Sequence, residues 1–251
     1  MSDQQAQQTQ ADFNDLLVMI VGESATGKSA SLQKLKDPKT VLYLNCENNK
    51  RLPFPSQFHQ RSITDPMSVY QFFTAFDAAS NLNTLVIDTL TFLMNLYESV
   101  YVANAADGRS AWANYGNFFR TLMSQYVAKS KKVVVFLAHT RNDKDSYGRI
   151  TSKVPVKGSL QNEGIEAFFS CIIAAKKVPL IDLVKYKNPL LTITPDDEVV
   201  GYKHVFQTRL TKETTGETIR HPMGMWSVEE TFIDNNLQFV IDRLKQYYNI
   251  P

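Results

Sequence analysis

Eight consecutive residues carry the densest chemical signal in the chain: Gly22, Glu23, Ser24, Ala25, Thr26, Gly27, Lys28 and Ser29, which fit G-x-x-x-x-G-K-S/T. Gly22 and Gly27 allow the backbone to turn so that successive amide N–H groups point inward at a polyphosphate. Lys28 is long enough to reach the terminal phosphate oxygens, and the Ser29 hydroxyl is a ligand for Mg²⁺. The stretch follows the apolar run LLVMIV and precedes a helix expected to begin near Lys28, whose positive end would add to the anion site. The bland alternative is a glycine turn with a solvated lysine.

Three further polar residues stand at the ends of apolar runs. Thr84–Thr89 reads TLVIDT, and Asp88 is expected to hold Mg²⁺ through a water; its competing use is as a helix cap. Val41–Cys46 leads into Glu47, which could polarise an attacking water, or lie in a surface loop. Val133–Ala138 delivers His139, placed to sense a γ-phosphate. Beyond it, Arg141–Gly158 carries Arg141, Lys144, Arg149, Lys153 and Lys157 against Asp143 and Asp145, with Tyr147 among them. Charge for phosphates and a ring for stacking suit single-stranded nucleic acid, although a solvated lid has the same composition.

The elements that must position these residues follow from hydrophobic patterning. Near-continuous Val/Ile/Leu runs at Leu16–Val21, Val41–Leu44, Leu85–Ile87, Val133–Ala138 and Phe168–Ala174 predict strands covered on both faces. Helical spacing relates Val69, Phe73 and Phe76; Trp112, Tyr115, Phe119, Leu122 and Tyr126; and Ile233, Leu237, Val240, Leu244 and Tyr247. Alternating strands and helices predict an α/β domain with a mainly parallel twisted sheet, ligands gathering at the carboxyl ends of its strands. Residues 1–12 read as a flexible polar arm, and 13–251 as one core with further strands and a closing helix after about Tyr202. Asn104–Ser110, Arg141–Gly158 and Val178–Val200 are expected to lie outside regular structure.

Composition narrows the class. With 43% hydrophobic and 21% charged residues, the 251-residue chain is neither collagen-like, coiled-coil nor wholly disordered. A net charge of +2 is too small for bulk electrostatics to imply a nucleic-acid partner, so that reading rests on the local basic stretch. Cys46 and Cys171 sit in apolar runs and read as buried free thiols of a reducing compartment. No apolar run reaches the roughly 20 residues of a membrane helix, and the amino terminus lacks a signal-peptide core. A cytoplasmic protein without membrane contact is expected.

The order GESATGKS, strand-final Glu47, LVIDT and strand-final His139 before a basic loop resembles the RecA-type recombinase core. VKGSLQNEGIEAFFS, HPMGMW and EETFIDNNLQFVIDRLKQYY are similar to the core-only RecA-like ATPases of bacteriophages, some of which anneal single strands. The resemblance spans about residues 14–250. It implies a P-loop ATPase that binds ATP and Mg²⁺, assembles as a filament or ring of identical subunits, and binds single-stranded DNA in recombination, annealing or repair. On matching positions it implies Gly22–Ser29 as the nucleotide loop, with catalytic roles for Lys28, Glu47, Asp88 and His139. Ser29 and Asp88 become metal ligands, and Arg141–Gly158 the second DNA loop, with Asn104–Ser110 where the first is expected. Lys212, Arg209 or Arg220 would act on a neighbouring subunit's ATP. The sequence departs from that family in His139, where glutamine is common, and in the lack of a separate amino-terminal assembly domain. A small-molecule phosphotransferase and a nucleotide-switched scaffold are the rival readings.

Overall fold

A strand whose every side chain is apolar needs cover on both faces, and the sheet provides it. The computed structural model describes residues 13–144 and 150–251; the expected arm 1–12 and residues 145–149, among them Tyr147 and Arg149, lie outside the described residues. Ten strands are present among the described residues. They are β1 (Leu17–Gly22), β2 (Val41–Asn45), β3 (His59–Ser62), β4 (Thr84–Asp88), β5 (Val133–His139), β6 (Arg141–Lys144), β7 (Ile150–Lys153), β8 (Ile172–Pro179), β9 (Tyr202–Gln207) and β10 (Phe232–Asp234). Eight of them form one sheet in the order β10-β9-β8-β1-β5-β4-β2-β3. From β8 to β3 all neighbours are parallel, while β9 and β10 extend the sheet antiparallel.

Helices cover both faces. The first three are α1 (Ser68–Ala78), α2 (Leu90–Tyr97) and α3 (Gly108–Thr121). Three short helices follow, α4 (Ser159–Glu163), α5 (Leu180–Leu183) and α6 (Pro195–Val200), and α7 (Leu237–Tyr248) closes the chain. Met19 and Val21 of β1, with Phe136 and Ala138 of β5, pack against Val69, Phe73 and Phe76 of α1 and against α2 and α3. The alternate residues Val18 and Ile20, with Val135 and Leu137, face Trp226 and the Leu237, Val240, Ile241 and Leu244 stripe of α7. Each fully buried side chain of this kind contributes about 1.5–3 kcal/mol. Across one strand this exceeds the roughly 1 kcal/mol span of intrinsic strand propensities, so burial decides the conformation. The architecture is mixed α/β with a large, mostly parallel central sheet flanked by helices.

Several expectations need correction. The helix expected near Lys28 is a six-residue 3₁₀ segment, Ser29–Lys34. The Arg141–Gly158 stretch is partly regular: β6 and β7 pair antiparallel as a hairpin. In Asn104–Ser110 only the first part is loop, because Asp107 caps α3 by accepting from the amides of Arg109 and Ser110. Within Val178–Val200, β8 runs to Pro179, α5 follows, and Thr194 starts α6 with a reciprocal capping box to Asp197. The strand expected over Phe168–Ala174 begins only at Ile172, since Ile165–Phe168 is a 3₁₀ turn, and Ile233 belongs to β10 rather than to the closing helix. The exposed edge strand β3, sequence HQRS, carries no apolar signal and has no counterpart among the expected strands.

Candidate nucleotide site

The register of the sheet brings the predicted residues to one edge. Gly22 pairs with His139, Asp88 with Leu137, and Asn45 with Asp88, so β1, β2, β4 and β5 all end beside the phosphate loop. Strand β5 lies between β1 and β4, which sets His139 midway between the loop and Asp88. A cavity of about 350 Å³ opens there, lined by loop residues and by Tyr43, Glu47, Asp88, His139, His204 and Asn235.

The loop has the backbone that glycine permits. Gly27 has φ +94°, a left-handed conformation that L side chains rarely adopt. At Gly22 a Cβ would stand 2.6 Å from the Ala175 carbonyl oxygen, so the loop and β8 touch through backbone alone. Lys28 Nζ donates to the carbonyls of Gly22 (2.9 Å) and Glu23 (2.7 Å) and lies 3.3 Å from His139 Nδ1. Burial of this ammonium lowers its pKa from 10.5 to about 8.

Asp88 is 2% exposed and receives two hydroxyl donors on Oδ2, from Ser29 (2.7 Å) and Tyr43 (2.7 Å). Burial raises its pKa, against the opposing pull of those donors. Its other oxygen, Oδ1, is buried without a partner. A hard cation or its coordinated water answers both the missing partner and the desolvation penalty, so the Ser29–Asp88 pair fits Mg²⁺. The cap of α2 is Thr89, whose side chain accepts from Phe92 N, and Asp88 is thereby free of that duty.

Glu47 Oε1 lies 2.9 Å from His139 Nε2, and Oε2 accepts from Lys50 Nζ at 2.9 Å. The hydrogen bond from His139, reinforced by Lys50, holds the Glu47 pKa down at about 2. Because Lys28 donates to Nδ1, Nε2 is the protonated nitrogen of His139. Thr91 Oγ1 accepts from the His139 amide at 2.9 Å and steadies the strand tip.

A family model described as an AAA domain matches residues 14–179. The chain belongs to the AAA domain family. No curated protein matches it. The AAA domain carries an ATPase-type nucleotide-binding core, usually used with Mg²⁺, and the fold described above is of that P-loop kind. The matched span of this AAA domain contains the loop, Glu47, Asp88 and His139, and it stops at the end of β8. The cavity also draws on two residues beyond it, His204 and Asn235.

The remaining predicted residues are spread more widely. Arg141, Lys144 and Lys153 stand on the exposed hairpin, and Arg141 directly opposes Lys153 across it. Lys157 is apart from the hairpin and pairs with Glu98 at 2.7 Å. Arg209 is occupied within its own subunit, donating to the Trp226 carbonyl at 2.9 Å, and Arg220 likewise faces the carbonyls of Glu166 and Phe169. Lys212 is exposed, with Glu213 3.6 Å away. Sequence reasoning missed Tyr43, Lys50, Thr91, His204 and Asn235 as parts of the site. Tyr43 sits in an apolar strand and reads as core, and no local pattern marks the other four.

No helix among the described residues is long and apolar enough to cross a membrane.

Proposed function

We propose that the chain is an ATP- and Mg²⁺-dependent ATPase of the RecA-like type that binds single-stranded DNA, assembles with copies of itself, and serves recombination, annealing or repair. One observation carries this reading: His139, which touches both Lys28 and Glu47, is separated by a single residue from the basic hairpin that begins at Arg141. The phosphate site and the exposed cationic surface therefore share one strand end. Arg141 and Lys153 oppose one another across the ladder, and with Lys144 they outnumber the hairpin's one carboxylate among the described residues, Asp143, which lies 3.4 Å from Arg141; the excess of positive charge suits an anion.

In this reading the loop amides and Lys28 bind the triphosphate, and Glu47 orients the attacking water. Ser29 and Asp88 would hold Mg²⁺, which when bound neutralises charge on the phosphate oxygens. Positioning and electrostatics supply most of the rate in such reactions. His139, donating through Nε2 to Glu47, releases that carboxylate when it turns toward a phosphate. Lys212 would act on the neighbouring subunit's nucleotide.

The test is the ATPase rate with and without a single-stranded oligonucleotide, at several salt concentrations, beside particle size with a non-hydrolysable nucleotide. Stimulation that fades with salt, and larger particles with nucleotide, are expected. ATP hydrolysis indifferent to DNA at low salt would remove the DNA half of the proposal; ATP binding without hydrolysis would favour a nucleotide-switched scaffold.

A further inference from the structure

The phosphate loop of this chain lacks a long helix behind it. Its amides are followed by the 3₁₀ segment Ser29–Lys34, and the loop is braced from within by Lys28 Nζ and Thr26 Oγ1 on the Glu23 carbonyl. Two side chains from much later in the sequence reach the loop's carbonyls. His204, on β9, places Nδ1 3.1 Å from the Thr26 carbonyl oxygen. Asn235, just after β10, donates through Nδ2 to the Gly27 carbonyl at 2.8 Å. Both lie outside the span matched by the family model, and both line the cavity.

The peptide group is planar, so fixing a carbonyl fixes the N–H of the next residue in the opposite direction. Holding Thr26 O sets the amide of Gly27, and holding Gly27 O, which Asn235 shares with the Ser31 amide at 3.0 Å, sets the amide of Lys28. A carbonyl oxygen can only accept, which requires His204 Nδ1 to carry the proton and Asn235 to present its NH₂ group. The other end of the Asn235 amide, Oδ1, is buried and without a partner, so this side chain keeps its orientation at the expense of its own acceptor. The fit is close: a Cβ on Gly27 would lie 2.6 Å from Asn235 Nδ2 and 3.2 Å from His204 Nδ1.

We infer that His204 and Asn235 are positioning residues for phosphate, aiming the Gly27 and Lys28 amides at the polyphosphate through the loop's carbonyls. This rests on the nucleotide reading of the cavity but not on any role for DNA. Their effect is on the phosphate tail and is indifferent to the base.

The experiment measures affinity for Mg–ATP and for inorganic tripolyphosphate by calorimetry in the intact chain and in Asn235→Ala, His204→Ala and His204→Asn. Both positions are half-buried beside an open cavity, where alanine leaves no sealed void. Each alanine variant should lose roughly tenfold in affinity, about what removal of one hydrogen bond at the upper end of its range costs, and by the same factor for both ligands. His204→Asn, which keeps an N–H near the Nδ1 position, should recover most of that loss. Unchanged affinities overturn the inference. So does a loss confined to ATP, which marks a contact to the nucleoside, or a His204→Asn variant as weak as His204→Ala. If an alanine variant does not fold, amide hydrogen exchange of Gly27 in His204→Phe, which keeps a ring and removes the donor, decides: exchange faster than in the parent is expected, and exchange equal to the parent's overturns the role. Failure of the unaltered chain to bind either ligand would instead fell the nucleotide reading itself.

Discussion

His139 Nε2 donates to Glu47 Oε1 at 2.9 Å, while its Nδ1 accepts from Lys28, so a single imidazole joins the lysine of the glycine-rich loop to the carboxylate proposed to orient water. Glu47→Gln should leave ATP affinity near that of the parent and slow turnover by ~10²–10⁴, the usual worth of a general base. Single-turnover hydrolysis beside nucleotide titration separates the two quantities; parent-like turnover removes Glu47 from the chemistry.

The same hydrogen bond sets the acid behaviour of Glu47. Its folded pKa of about 2 lies below the ordinary 4.5, so the stability it contributes is complete above 4.5 and is lost as pH falls through about 2. In His139→Ala the largest lowering cause is gone, and the carboxyl should titrate closer to its ordinary value. Carboxyl resonances of carbon-labelled protein would show this as an upward shift of the midpoint.

Lys28 gives the opposite window. In the unfolded chain it titrates at 10.5 and in the fold near 8, so between these values the unfolded state holds more protons and stability rises with pH. Lys28→Met should flatten that rise and abolish triphosphate binding. A bound triphosphate favours the charged ammonium, so ATP binding at pH 8 should take up protons, visible as a binding heat that changes with the ionisation heat of the buffer.

Much of this arrangement can be read before folding, and the part that cannot has a common cause. Gly22–Ser29, Glu47, Asp88 and His139 are each marked by their place at the end of an apolar run, because parallel strands present their carboxyl ends together. Tyr43 gives no such mark: inside VLYLN it reads as core, and only the register with β4 turns its hydroxyl onto Asp88. His204 and Asn235 reach the loop from 178 and 208 residues away along the chain, a closure that pattern within a window does not encode. The hairpin reads as loop because its strands are short and polar, and the exposed edge strand β3 escapes for the same reason.

Asp88 and Tyr43 supply a prediction about stability as well as metal. Tyr43→Phe removes a buried donor from a carboxylate and should cost about 1–3 kcal/mol, lowering Tm by several degrees. Asp88→Asn keeps the fold but should raise the Mg²⁺ concentration needed for half-maximal hydrolysis at least several-fold, read from a Mg²⁺ titration of the rate.

For the hairpin, replacing Arg141, Lys144 or Lys153 singly with alanine should weaken single-stranded DNA binding across sequences. Taking away one cation that neutralises a phosphate should reduce the slope of log affinity against log salt by about 0.7. Lys157→Ala, at a residue engaged by Glu98, should change that slope less. Slopes equal to the parent's for all three hairpin variants would take DNA off this surface.

Only Thr140 separates the end of β5 from the start of β6. Four residues of extended chain reach roughly 13 Å, so β6 carries its far end about that distance from the strand tip that bears His139. Glu23 of the loop accepts from the Asn142 side chain, two residues beyond Thr140. The loop and the exposed hairpin are thus joined twice, once along the main chain through Thr140 and once across space through Asn142 and Glu23.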